Sequence, residues 1–194
     1  EQDGHTWQRC AFPDGLAADV MRDVVRWLPV AWAEPDNADA REAMMLAATR
    51  GGMAFSNASV TLIHGMSRPI GAHFHVPHGM SNAMLLPTIT AWSVAGAPTR
   101  YAEAARILGF ADTRMSTESA LTALRDGLAG LCETMAVPTP AEFGIANADW
   151  YALIPTMAEQ ALASGSPANN PRIPSAEEIA TLYDAVWQGA AVTT

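Results

Sequence analysis

A chain of 194 residues is long enough to bury a core without disulfide or metal staples, and it reads as a single domain. Its 20 Asp and Glu outweigh 11 Lys and Arg for a net charge of −9, and no basic run breaks that excess, which argues against a nucleic-acid partner. No apolar run approaches the roughly 18 residues of a membrane span, the polar start EQDGHTWQRC is unlike a signal peptide, and Cys10 and Cys132 lack the spacing of a disulfide framework or zinc ribbon. The expectation is a soluble, cytoplasmic protein with no membrane partner.

Alanine, leucine and methionine dominate the apolar residues, aromatic residues are only 7% of the chain and β-branched runs are scarce, which predicts an all-α domain over residues 1–194. From Asp14, LAADVMRDVVRWL sets Leu16, Val20, Val24, Trp27 and Leu28 at steps of three and four, an amphipathic helix capped by Asp14 and ended by Pro29. A second helix begins near Asn37 or Asp39 and runs through AREAMMLAATRGGMAF. Gly51 and Gly52 inside it cost about 1 kcal/mol each relative to alanine, so close approach of another helix is the expected reason for them.

The stretch from His64 to Pro87, HGMSRPIGAHFHVPHGMSNAMLLP, holds His64, His73, His75 and His78, four of the five histidines in the chain. His64 and His78 lie fourteen positions apart (78 − 64), too far to share a helical face, so they meet only if two segments converge. Each is followed by glycine, which leaves bare backbone beside an imidazole. Pro77 suits a first turn, because its missing N–H is unused there, and His78 then opens a helix through Leu86. Neutral imidazole is the commonest metal ligand near neutral pH. A metal site competes here with surface or hydrogen-bonded core histidines, and spacing alone does not separate the two.

Beyond it, Thr99 to Gly109 reads as a short helix with Tyr101, Ala105 and Leu108 inward and Gly109 as its C-terminal cap. Ser116 or Thr117 starts the next, in which Leu121, Leu124, Leu128 and Leu131 recur at helical spacing as a core stripe, stopping before Pro138. Asp149 precedes a helix through Ala163, SGSPANNPRIP from Ser164 to Pro174 is a loop, and Ser175 with Glu178 forms a capping box for a last helix carrying Ile179, Leu182, Val186 and Trp187.

HGM at His64, RPIGA at Arg68, VPHG ending at Gly79, and the NA and LLP that follow resemble the signature of the iron-containing (group III) alcohol dehydrogenases. GMAFSN from Gly52 leads into it and NPR from Asn170, followed by LYDAVW, closes the chain, so the resemblance covers nearly all of it. It implies the helical, metal-binding C-terminal domain that this family shares with dehydroquinate synthase-like proteins. By position, His64 and His78 correspond to two of the family's four protein ligands to a catalytic divalent metal, iron(II) or zinc. Phe55 corresponds to a residue lining the substrate pocket, with ordinary helix core as the competing reading. Many members carry a third histidine where this chain has Arg68, a position that is not a ligand. His73 and His75 match no ligand and are expected to flank the cleft or face solvent.

The family's other two ligands, an Asp and a His one helical turn apart, fall immediately upstream of Glu1 when the first helix is registered on Asp14 and Leu28. Asp3 and His5 are the nearest substitutes, and their two-residue separation does not give one-turn geometry. No glycine-rich turn after a strand occurs either, so NAD or NADP is expected to bind through an N-terminal domain not in this chain, which looks truncated and inactive alone. The resemblance implies interconversion of small alcohols and aldehydes or ketones by a homo-oligomer, a dimer in the simplest case. Two other readings stay open: a catalytically silent association domain with a vestigial metal half-site, and a relative of glycerol dehydrogenase or maleylacetate reductase.

Overall fold

The structure, a computed structural model, describes residues 11–189; Asp3, His5 and Cys10 lie outside them. Eight α-helices and two short 3₁₀ turns make up the regular structure of the described residues, with no strand, so the fold is all-α as the composition predicts. The chain divides into two compact units between Ser59 and Val60.

The first unit contains α1 (Ala11–Ala33) and α2 (Ala38–Asn57), which pack along each other and are tied by Arg50 Nη1 to Asp23 Oδ2 at 3.3 Å. Asn37 caps α2, its Oδ1 accepting from the Ala40 amide at 3.1 Å. Two sequence expectations for α1 are corrected. Asp14 sits inside the first turn rather than capping it, and Pro29 lies within the helix, which continues to Ala33. Proline removes only its own N–H, and the turn beyond it closes normally, with the Glu34 amide on the Val30 carbonyl at 2.8 Å. The expected close helix approach at Gly51 and Gly52 is also absent among the described residues. A Cβ on Gly51 would meet Val20 at an ordinary 3.9 Å and one on Gly52 would meet nothing within 4 Å.

The second unit holds α3 (Leu62–Phe74), α4 (His78–Ser93), α5 (Pro98–Ile107), α6 (Thr117–Thr134), α7 (Asn147–Ala163) and α8 (Ala176–Gln188). Its larger core gathers Leu62, Met66 and Ile70 of α3, Leu85 and Ile89 of α4, Trp150 and Met157 of α7, and Leu182 and Tyr183 of α8. A smaller one joins Ala102 and Ala105 of α5 to Ala120, Leu124 and Leu128 of α6, so the leucine stripe is packing, as its spacing indicates. Ser116 caps α6 through the Ser119 amide at 3.1 Å. Ser175 and Glu178 form the full reciprocal box at α8.

Pro87 does not end α4, which runs on to Ser93. The carbonyl that Pro87 leaves without its helical donor belongs to Ala83, four residues back, and the Cys132 thiol of α6 donates to it at 3.8 Å. A neighbouring helix thereby offsets part of the local cost. The NPR segment is a clamp on the end of the same helix. Asn170 Nδ2 donates to Ser93 Oγ at 3.0 Å, and the Arg172 guanidinium lies 4.0 Å over the Trp92 ring while reaching Glu178 at 3.2 Å. Gly96 is required by this closure, since a Cβ there would sit 2.5 Å from the backbone of Pro171 and Arg172.

Candidate metal centre

His64 lies near the start of α3 and His78 is the first residue of α4. Ten residues of helix carry the chain about 15 Å from His64 to Phe74, so the three-residue connection must double back for the histidines to meet. His75 begins the reversal in a left-handed conformation (φ 56°), with its amide on the Gly71 carbonyl at 3.0 Å. The returning strand of chain crosses α3 at Gly71, where a Cβ would meet the Val76 carbonyl oxygen at 3.3 Å. The result brings the His64 and His78 rings to a centroid separation of 4.5 Å with their planes at 74°.

Each histidine opens the tetrapeptide HGMS, at 64–67 and again at 78–81. In both copies the buried serine donates its hydroxyl back to the histidine carbonyl at 3.0 Å, Ser67 to His64 and Ser81 to His78. This repeat is a signal that the sequence carries in plain view, and it fixes the backbone of both imidazoles in the same way. The two glycines differ. Gly65 is filled from outside by Pro167, 3.0 Å from where a Cβ would be, whereas Gly79 faces open space.

Asn82, one turn after His78 and carried in the motif without an assigned role, is the side chain that contacts His78 most directly. Its amide Nδ2 lies 3.1 Å from His78 Nε2 and 2.8 Å from the His78 carbonyl oxygen, which holds the ring in one orientation. A metal bound at Nε2 would take the lone pair that this amide meets, so Asn82 would have to turn aside for His78 to bind it there. The i, i+4 spacing was the available clue.

Partial burial lowers the His64 pKa below the ordinary histidine value, and the neighbouring charges of His78 and then Arg68 push the same way. Arg68 is itself exposed, one helical turn after His64. The unfolded chain therefore takes up this proton first, so stability contributed at His64 is present above about pH 6.5 and is lost as pH falls through the depressed folded value. In the metal-free protein, an NMR titration should find the His64 ring still neutral at a pH where an ordinary histidine is half protonated. A midpoint at or above about 6.5 would contradict this geometry.

The remaining candidates lie apart from the pair. His73 Nε2 pairs with Gln160 Oε1 of α7 at 2.9 Å, and His75 is an exposed helix-end residue. Phe55 is on α2 of the first unit and 55% exposed, which removes the ordinary-core reading. Two imidazoles in edge contact, one with a lowered proton affinity, suit a divalent cation as two of its ligands. Among the described residues no third His, Cys, Asp or Glu joins them to complete a shell.

Comparison with known proteins decides the family. The profile of the Fe-containing alcohol dehydrogenase family, C-terminal, matches residues 7–187. The chain belongs to this family. This alcohol dehydrogenase-family chain is 33% identical over 171 residues to 1,3-propanediol dehydrogenase of Klebsiella pneumoniae, covering 88% of the chain and 43% of that protein. It is 34% identical over 150 residues to lactaldehyde reductase of Escherichia coli strain K12, covering 77% and 38%. A crystal structure of 1,3-propanediol oxidoreductase superposes with a TM-score of 0.84 at 31% identity, over 90% of the chain and 45% of that structure. The chain thus spans less than half the length of these relatives. No helix among its described residues is long and apolar enough to cross a membrane.

Proposed function

We propose that this chain is the metal-binding part of a cytoplasmic, homo-oligomeric NAD(P)-dependent alcohol dehydrogenase that interconverts small alcohols with aldehydes or ketones. The observation that carries the proposal is the 4.5 Å meeting of His64 and His78 in a chain whose residues 7–187 match the family's C-terminal profile. These imidazoles would hold iron(II) or zinc, with further ligands and the nicotinamide site supplied by the rest of the protein. Bound there, the metal would act as a Lewis acid that eases loss of the alcohol proton. The chain's own contribution is positioning. The HGMS serines fix both histidine backbones, and the Asn82 amide rests against the His78 carbonyl at 2.8 Å. Substrates of the size of 1,3-propanediol and lactaldehyde are favoured by the relatives named above.

One observation favours a second reading, a silent domain with a vestigial half-site: the described residues offer only two ligands. Metal analysis of the full-length protein separates the two. The enzyme reading expects about one divalent ion per chain, loss of alcohol-dependent NAD(P) reduction on chelation, and recovery on adding iron(II) or zinc. Turnover that survives complete metal removal would sink it, and a folded protein with no bound metal and no turnover would establish the silent domain.

A further inference from the structure

A second recess in the same unit is not used by the histidine pair. A helix turns about 100° per residue, so His78 and Asn82 lie within about 40° of each other on α4, while Met84, Pro87 and Ala91 project from the opposite side. Those three residues form one wall of a cavity of about 500 Å³. Arg125 and Ala129 of α6, Val137 and Val186 also line it. The volume is that of a small-molecule pocket, and the walls are mostly apolar.

Among the described residues the side chain of its one cation, Arg125, enters no ion pair or hydrogen bond. Arg125 Nε is buried without a hydrogen-bond acceptor, and Arg125 enters none of the described ion pairs, which use Arg22, Arg50, Arg114 and Arg172. Arg106 also has an orphaned Nε, yet it donates from Nη2 to the Met115 carbonyl at 2.8 Å; Arg125 makes no such bond to the described residues. A guanidinium whose Nε is buried without an acceptor carries a desolvation cost, and a carboxylate matches its planar fork. Asp126 and Glu133 also line the cavity, both with exposed side chains. Their charges disfavour a dianion such as phosphate, while a monoanion on Arg125 meets less repulsion. The Cys132 thiol is engaged by the Ala83 carbonyl and belongs to the wall.

We propose that this cavity between α4 and α6 binds a small amphipathic monocarboxylate, its carboxylate on Arg125 and its apolar tail against Met84, Pro87 and Val186. The test uses the full-length protein and reads binding without turnover, so it stands or falls separately from the metal reading. Hexanoate, hexan-1-ol, hexylamine and inorganic phosphate are titrated by calorimetry and by chemical-shift perturbation. Hexanoate should bind saturably and at least about tenfold more tightly than the alcohol, the amine or phosphate, the scale of a charge-assisted hydrogen bond. Arg125→Gln should lose about that factor, and Ala129→Leu, which fills the cavity while keeping Arg125, should lose binding with an unchanged circular dichroism spectrum. Absence of saturable hexanoate binding, equal binding by Arg125→Gln, or a preference for the alcohol or phosphate would overturn the proposal.

Discussion

Replacing His64 or His78 with alanine in the full-length protein is expected to remove bound metal and alcohol-dependent NAD(P) reduction together. The two rings meet at 4.5 Å because α3 and α4 place them there, and each is anchored through its own HGMS serine, so neither can be replaced by a nearby side chain. Among the described residues there is no third His, Cys, Asp or Glu at the pair to move in as a substitute. Losing residues that merely orient a ligand already costs about 10- to 100-fold in metal affinity, so losing a ligand outright should exceed about 100-fold. His73→Ala is the internal control. Its imidazole is committed to Gln160 at 2.9 Å, so metal content should stay unchanged while the α3–α7 contact weakens slightly. Metal per chain, measured beside activity for all three variants, checks the assignment. Retention of a full complement in His64→Ala and His78→Ala would show that the pair is not the metal centre.

Trp150→Ala should be the most damaging single change to the fold of the second unit. The indole is fully buried and packs against three aromatic rings: Phe74 at 5.6 Å, Trp187 at 5.7 Å and Tyr183 at 5.8 Å. Its Nε1 also donates to the Tyr183 carbonyl at 3.3 Å, which joins α7 to α8. Truncation leaves a cavity where α3, α7 and α8 converge, for which the usual loss is about 3–5 kcal/mol. Trp150→Phe keeps most of the ring contact and should lose much less. Urea unfolding would read the difference as a shift of midpoint at unchanged slope. A loss below about 1 kcal/mol, the ordinary cost of a point mutation, would mean that the core is organised elsewhere.

Local chemistry was legible without the structure. Asn37, Ser116 and the Ser175–Glu178 box act as caps because a side-chain oxygen two or three residues from an unpaired amide needs nothing else to find it. The all-α class followed from apolar spacing, and the four-histidine stretch, with the motif around it, indicated both the family and the pair that meets. Prolines were misleading for the complementary reason. Pro29 and Pro87 carry a local penalty that reads as a stop, yet both helices run on; at Pro87 part of the cost is offset by the Cys132 thiol, 49 residues from the Ala83 carbonyl that it meets. The roles of Gly96 and the NPR clamp, the contact of Asn82 with His78 and the orphaned Nε of Arg125 among the described residues are likewise properties of distance in space. Helix positions, the side-chain caps at Asn37, Ser116 and Ser175, and the residue types able to hold a metal depend on neighbours within about one turn, so they can be read along the chain. Which imidazoles meet, where helices pass through proline and which guanidinium Nε lacks an acceptor among the described residues depend on contacts between segments that the chain order does not place together.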